Sequence, residues 1–162
     1  MNRDPDAYTR CMRRTLTIAR VTIAAALLTL AASTAFAHVT KEVGDGAYTV
    51  VLGYIGAPLY VGEIEQVDIS ITDAEGNGVD GLAESLTAEI LGPDGASVVV
   101  TVRAVRNSPG KYIADFRPTV EGNYDVRLSG FIGEYEFDEV FSGVDMLHAD
   151  PVVNDPARIS VP

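Results

Sequence analysis

The chain has no tryptophan, one cysteine and two histidines in its 162 residues. Cys11 precedes an apolar run, which is the wrong place for a lipid-bearing cysteine, and beyond it no disulfide can form. Stability after that point must come from a packed core, which a chain of this size can build. Lysine is nearly absent, with only Lys41 and Lys111. No nucleophile elbow, phosphate loop, Cys-x-x-Cys pair or His-rich zinc spacing occurs. Serine-type catalysis would have to recruit His38 or His148, and no serine is marked as its partner. The expectation is a protein that is not an enzyme.

What is present divides at residue 37. Arg3, Arg10, Arg13, Arg14 and Arg20 make a basic start, followed by the apolar "VTIAAALLTLAASTAFA" ending in Ala35-Phe36-Ala37. A basic stretch, a short apolar stretch and A-x-A predict a secretory signal peptide over 1–37, with Met12 as a candidate true start. Cleavage after Ala37 makes His38 the first residue; an uncleaved anchor leaves it in mid-chain. The cut chain is expected to be exported, periplasmic or extracellular. It keeps 125 of the 162 residues, because 37 are removed, and fits one domain. Two of the 23 acidic and five of the 12 basic residues lie before His38, which leaves 21 against 7 and a net charge of −14. That balance argues against nucleic-acid partners and against direct binding to anionic membranes after cleavage, since both need positive charge at the contact.

The dominant pattern beyond His38 has period two. "VDISIT" sets Val67, Ile69 and Ile71 against Asp68, Ser70 and Thr72, and "YDVRLS" sets Tyr124, Val126 and Leu128 against Asp125, Arg127 and Ser129. Such alternation is how half-buried strands read. Glycine-rich turns punctuate the runs. Seven strands are expected, near 47–55, 64–73, 85–91, 96–105, 111–117, 123–132 and 134–142. Many short strands with regular turns predict an all-β fold, an immunoglobulin-like antiparallel β-sandwich over 38–145. Tyr124 in "GNYDV" sits where such domains carry a corner tyrosine whose hydroxyl binds nearby backbone. The rest, 146–162, holds three prolines and is expected to be an irregular tail.

Together, "HVTKEVGDGAYTVVLGYIGAPLYVGEIEQVDISITDAEGNGVDGL" and "GKYIADFRPTVEGNYDVRLSG" resemble small exported bacterial domains of the YtkA-like and CopC-like, copper-resistance type. The resemblance implies an immunoglobulin-like sandwich and an envelope or membrane copper-handling partner. Members of the CopC-like kind begin with a histidine after cleavage and bind Cu(II) through it, its amine and a later Asp-x-His pair. The matching residues here are His38, Asp145 and His148. The spacing differs, because two residues separate Asp145 from His148. No methionine-rich segment is present, so thioether binding of Cu(I) is not implied.

The chemistry of that set is coherent. A freed α-amino group titrates near pH 8 and yields its proton to a metal at neutral pH. His38 would offer that amine and an imidazole nitrogen, His148 a second imidazole, and nitrogen donors suit Cu(II). Asp145 would add an oxygen or orient His148. The alternative is an ordinary terminus and a loop histidine, in a metal-free interaction module docking through strand edges. A histidine-first oxygenase is a third class, against which stand the short chain and the lack of tryptophan for a flat sugar surface. A second candidate is "DAEGNGVDGLAE", with Asp73, Glu75, Asn77, Gly78 and Glu84 at calcium-loop positions 1, 3, 5, 6 and 12. Glutamate at position 3, Asp80 at position 8 and flanking strands depart from that pattern, so the same residues also read as a polar turn. A third candidate, Glu134, Glu136, Asp138 and Glu139, has the carboxylates of a glycosidase but reads as a solvated strand face.

Overall fold

The computed structural model describes residues 38–146 and 151–155. Nine strands form two antiparallel sheets: β1 (His38–Val43), β2 (Tyr48–Tyr54), β3 (Glu65–Asp73), β4 (Leu86–Leu91), β5 (Ser97–Val100), β6 (Val102–Ala104), β7 (Lys111–Phe116), β8 (Asp125–Ile132) and β9 (Tyr135–Phe141). One sheet runs β1-β2-β3-β7-β6 and the other β5-β4-β8-β9. A single helical turn, α1 (Gly143–Met146), follows β9 and packs against β1, β2 and β8.

The expected sandwich is present, with two differences in strand count. The first is β1. Its inward positions are Val39, Lys41 and Val43, and a lysine in the middle of the inward row hides the alternation. The second is the run 96–105. It is two strands in different sheets: Ser97–Val100 pair with β4, and Val102–Ala104 pair with β7. The chain changes sheet at Thr101 without breaking the run of β-branched residues.

The core lies between the sheets because the apolar parity of each strand points there. Val50 and Leu52 on β2, Val67, Ile69 and Ile71 on β3, Ala88 and Ile90 on β4, and Val126 and Leu128 on β8 are buried. Each large aliphatic side chain buried this way contributes about 1.5–3 kcal/mol. Tyr112 is fully buried, donates its hydroxyl to Val79 O at 2.6 Å and accepts from Leu82 N at 3.2 Å. At Gly130 the φ is +142°, and a Cβ there would stand 2.0 Å from Ser85 O. Only glycine lets β8 run that close to the entry of β4.

Met146 and Val152 are fully buried, so the core draws on residues beyond 145. Residues 151–155 form a strap. Val152 exchanges two backbone hydrogen bonds with Gly122, Val153 N donates to Leu59 O, and Val153 O accepts from Val61 N. The strap lies along the end of the sandwich where β2 and β7 finish and β8 begins.

Candidate functional site

The four sheet edges are treated differently. β1 and β9 lie side by side, and the gap between the sheets is closed there. Lys41 and Glu139 point inward from the two edges and form an ion pair at 2.6 Å. At the far end the Tyr135 ring covers Gly44, whose hypothetical Cβ would lie 2.9 Å from it, and meets Tyr48 edge-on at 5.7 Å. Inward-pointing charge and bulk on an edge block pairing with a foreign strand.

The opposite side has no such closure. β5 reads Ser-Val-Val-Val, with no charge and no proline. Val99 shares the outer face with Glu89 and is 65% exposed. Val98 pairs with the buried Ile90 and so points inward, yet it is 54% exposed. The cause is the crossing at Thr101, which takes the chain to the other sheet and leaves the inner side of β5 uncovered. A pocket of about 300 Å³ opens beneath it. Ile90, Val98, Phe116 and the Tyr124 ring give it apolar walls, and Asp94 and Arg117 give it opposite charges.

One wall is an aromatic row: Tyr54 to Phe116 at 5.7 Å and Phe116 to Tyr124 at 5.9 Å between ring centres. Tyr124 is the corner tyrosine expected from the sequence. Its hydroxyl accepts from Thr119 N and Val120 N, both at 3.1 Å, and donates to Val120 O at 3.0 Å. Tyr54 donates its hydroxyl to Tyr124 O at 2.6 Å, and burial, ahead of the nearby Asp125 and Tyr124, pushes its acidity well below that of an ordinary phenol. Arg117 donates to Gly62 O and is anchored at the pocket wall. The arrangement is a preformed apolar recess beside a strand that, among the described residues, pairs on one side alone. It suits an extended peptide that adds to the sheet and drops alternate side chains into the recess.

The candidate metal residues are placed as follows. His38 opens β1 on the outer face of its sheet. It pairs across the ladder with Gly53, whose missing side chain lets the imidazole reach over β2, and Nε2 lies 3.7 Å from Asp68 Oδ2 on β3. Asp145 lies in α1, which packs against β1 and β2. His148 lies outside the described residues. Among the described residues, no group of three or more His, Cys, Asp or Glu side chains could hold a metal ion.

The calcium-loop residues form a compact Asx-type turn. Asp73 Oδ1 accepts from Glu75 N at 3.1 Å and Asn77 N at 2.7 Å, and Oδ2 accepts from the Asn77 side-chain amide at 3.1 Å. These bonds, that of the Asn77 side chain first, hold the Asp73 carboxyl below its ordinary value. Glu84 is exposed in the connection before β4, and no hydrogen bond or ion pair joins it to the turn. The four carboxylates of the third candidate also have separate surroundings. Asp138 is clamped by Arg127, Glu139 by Lys41, and Glu134 and Glu136 are exposed.

The β5 edge escapes a reading of the sequence alone. A valine run normally signals burial on both faces. The one available signal is that Val98, Val99 and Val100 follow one another with no charged or polar residue among them, which is unusual for a strand at a sheet edge.

The filamin/ABP280 repeat family matches residues 43–129. No curated protein matches the chain. Among solved structures, the chain is similar to a DUF4785 family protein from Legionella pneumophila subsp. pneumophila str. Philadelphia 1, at 9% identity and a TM-score of 0.44. That likeness covers 59% of this chain and 27% of the other, so the chain spans about a quarter of that protein's length.

Proposed function

Because the chain belongs to the filamin/ABP280 repeat family, we propose that it is a non-enzymatic immunoglobulin-like interaction module that takes an extended segment of a protein partner onto the free edge of β5. The observation that carries this is the asymmetry between the edges. β9 and β1 are blocked by Lys41, Glu139 and Tyr135, while β5 is short, apolar and uncharged above an open recess. Main-chain hydrogen bonds to the edge would supply affinity, and the recess, lined by Ile90, Val98 and Phe116, would select apolar side chains at alternate positions. We place the module in the cell envelope, on the signal-peptide reading of residues 1–37. The test is a photo-cross-linking side chain at Val99 in chain produced by its own cells. The joined segment, identified by mass spectrometry, is expected to be extended and apolar at alternate positions, and the adduct should vanish with Val98→Arg. Adducts that survive Val98→Arg would overturn the proposal.

A second reading, Cu(II) binding at His38, is favoured by one relationship. The start of β1 lies at the end of the sandwich where α1 carries Asp145, and Asp68 already faces the His38 imidazole at 3.7 Å. With the chain cut after Ala37, the amine and imidazole of His38 would chelate the ion, with a carboxylate and His148 completing the set, and the partner would be an envelope copper-handling protein. Electron paramagnetic resonance of Cu(II) added to cleaved protein checks it. A single nitrogen-rich signal lost in His148→Ala supports the reading, and several ill-defined signals on a verified His38 terminus exclude it.

A further inference from the structure

The chain has five asparagines, and only Asn77 precedes a glycine. Asn77 and Gly78 are both exposed, in the turn that follows β3. Every other amide from Glu75 to Val79 is engaged. Glu75 N and Asn77 N donate to Asp73 Oδ1, Gly76 N to Asp73 O, and Val79 N to Ile71 O. Gly78 N donates to no described residue. An unengaged amide nitrogen therefore directly follows an amide side chain, and with no Cβ on Gly78 nothing shields that nitrogen from Asn77 Cγ. Among the described residues, one bond restrains the side chain, from Asn77 Nδ2 to Asp73 Oδ2 at 3.1 Å. When it opens, Cγ is free to turn towards Gly78 N.

The chemistry is complete with water alone. Gly78 N gives its proton to solvent base and attacks Asn77 Cγ. The tetrahedral carbon expels Nδ2 as ammonia, with a proton from water, and closes a succinimide ring. Water then opens the ring at either carbonyl. One opening leaves aspartate. The other leaves isoaspartate, whose main chain runs through the side-chain carbon and is longer by that carbon.

Neither product fits the turn. Aspartate sets a carboxylate against Asp73 where the amide donated at 3.1 Å, and two carboxylates at that distance repel. Isoaspartate needs slack at Gly78, and there is none. A Cβ on Gly78 would stand 2.2 Å from Pro109 O, and one on Gly110 would stand 2.5 Å from Gly78 Cα. The lengthened chain must lift Gly78 off Gly110. The bonds beside it, Val79 N to Ile71 O at 3.0 Å and Ile71 N to Gly110 O at 2.8 Å, go with it.

We propose that Asn77 and Gly78 form a self-modifying site, at which the folded chain converts Asn77 to aspartate and isoaspartate without an enzyme, and that conversion frees the turn from the hairpin between β6 and β7. The turn is then a one-way switch that gains a negative charge with the age of the molecule. It sits where β7 begins, whereas the recess lies where β7 ends, so the inference is independent of the β5 docking reading.

The test is to age the full chain in buffer, digest it at intervals and read each asparagine by mass spectrometry, with fragmentation that tells isoaspartate from aspartate. Asn77 is expected to gain the mass of an amide becoming an acid, isoaspartate included, at a rate that rises with pH. Asn107, Asn123 and Asn154 should keep their amides. Asp73→Ala removes the restraint and should speed conversion at least about twofold, the factor that one weak hydrogen bond represents. Asn77→Gln must close a larger ring and should keep its amide. Hydrogen exchange on the aged chain should be several-fold faster at the Ile71 and Val79 amides than on fresh chain, with β8 unchanged as a control on folding and with no change in aged Asn77→Gln. An Asn77 that keeps its amide while a free peptide of residues 73–81 loses its own overturns the proposal, and so does conversion spread evenly over Asn77 and Asn107. Conversion at Asn77 with unchanged exchange at Ile71 and Val79 overturns the switch.

Discussion

Lys41 on β1 and Glu139 on β9 meet at 2.6 Å across the mouth between the two sheets, and the Lys41 ammonium also lies 5.4 Å from the centre of the Phe141 ring. Both side chains keep about a third of their surface in water, so the pair stabilises the monomer by at most about 1 kcal/mol. Its stronger effect is on association, because two charges directed inward from adjacent edges make pairing with a foreign strand costly. Glu139→Val combined with Lys41→Val should leave the unfolding midpoint within a few degrees of the parent while producing dimers and larger species in sedimentation velocity. A double variant that stays monomeric would remove the argument that this side is the guarded one.

The Tyr124 hydroxyl satisfies the Thr119 and Val120 amides and the Val120 carbonyl at once. Phenylalanine there keeps the ring and strands these groups at a half-closed corner. A stranded group costs about 1–3 kcal/mol, so Tyr124→Phe should lower stability by about that amount in urea titration with an unchanged m-value. The same substitution leaves the pocket wall in place, so binding of a peptide to the β5 edge should weaken much less than folding does.

The parts of this molecule legible in the sequence are those decided within a few residues. The corner is one, since Tyr124 bonds four and five residues back. The two-faced strands are another, since burial on one side forces Val67, Ile69 and Ile71 into register with each other. What depends on distant elements was not legible. Val98 is exposed because of where the other sheet stops. His38 meets Asp68 only because Gly53 lies between them in the ladder. The change of sheet at Thr101 leaves the alternation intact, so no periodic signal marks it.

Both carboxylate oxygens of Asp73 already accept hydrogen bonds from the turn it closes. Calcium would have to break those bonds and recruit Glu84, which is not joined to the turn. Millimolar Ca²⁺ should therefore leave the Asn77 amide signal in place, whereas Asp73→Ala should shift it and speed its exchange. Because the Asp73 carboxyl titrates below its ordinary value, this local ordering is present at neutral pH, persists below the carboxylate range of free Asp, and is lost as pH falls through the depressed value.

At Gly130 a side chain has no room and the backbone conformation is unfavourable as well. Gly130→Ala must push Ser85 O away or leave the positive φ, and either breaks the β4–β8 register at Leu86. The cost should be on the order of 3 kcal/mol, a fall of about 10 °C in Tm by calorimetry. Gly95→Ala, at a φ of +83° with nothing within 4 Å, supplies the comparison, since it isolates the backbone strain from the collision.

Tyr54 sets the alkaline limit. Its hydroxyl is buried, donates to Tyr124 O at 2.6 Å and lies near Asp125, and all of this favours the neutral form. In the unfolded chain it titrates at about 10. The folded protein therefore holds the proton more tightly than the unfolded one, and the stabilisation is complete below pH 10 and declines as pH rises above it. Tyr112, pushed the same way chiefly by burial, adds to the decline. Tyr54→Phe loses one buried hydrogen bond, about 1 kcal/mol at neutral pH, but also removes a group that must ionise on unfolding. Urea midpoints measured from pH 8 to 11.5 should fall less steeply for Tyr54→Phe than for the parent, so the two curves converge as pH rises. Parallel curves would mean that Tyr54 ionises as readily in the folded chain as in the unfolded one, and that the bond to Tyr124 is not kept in solution.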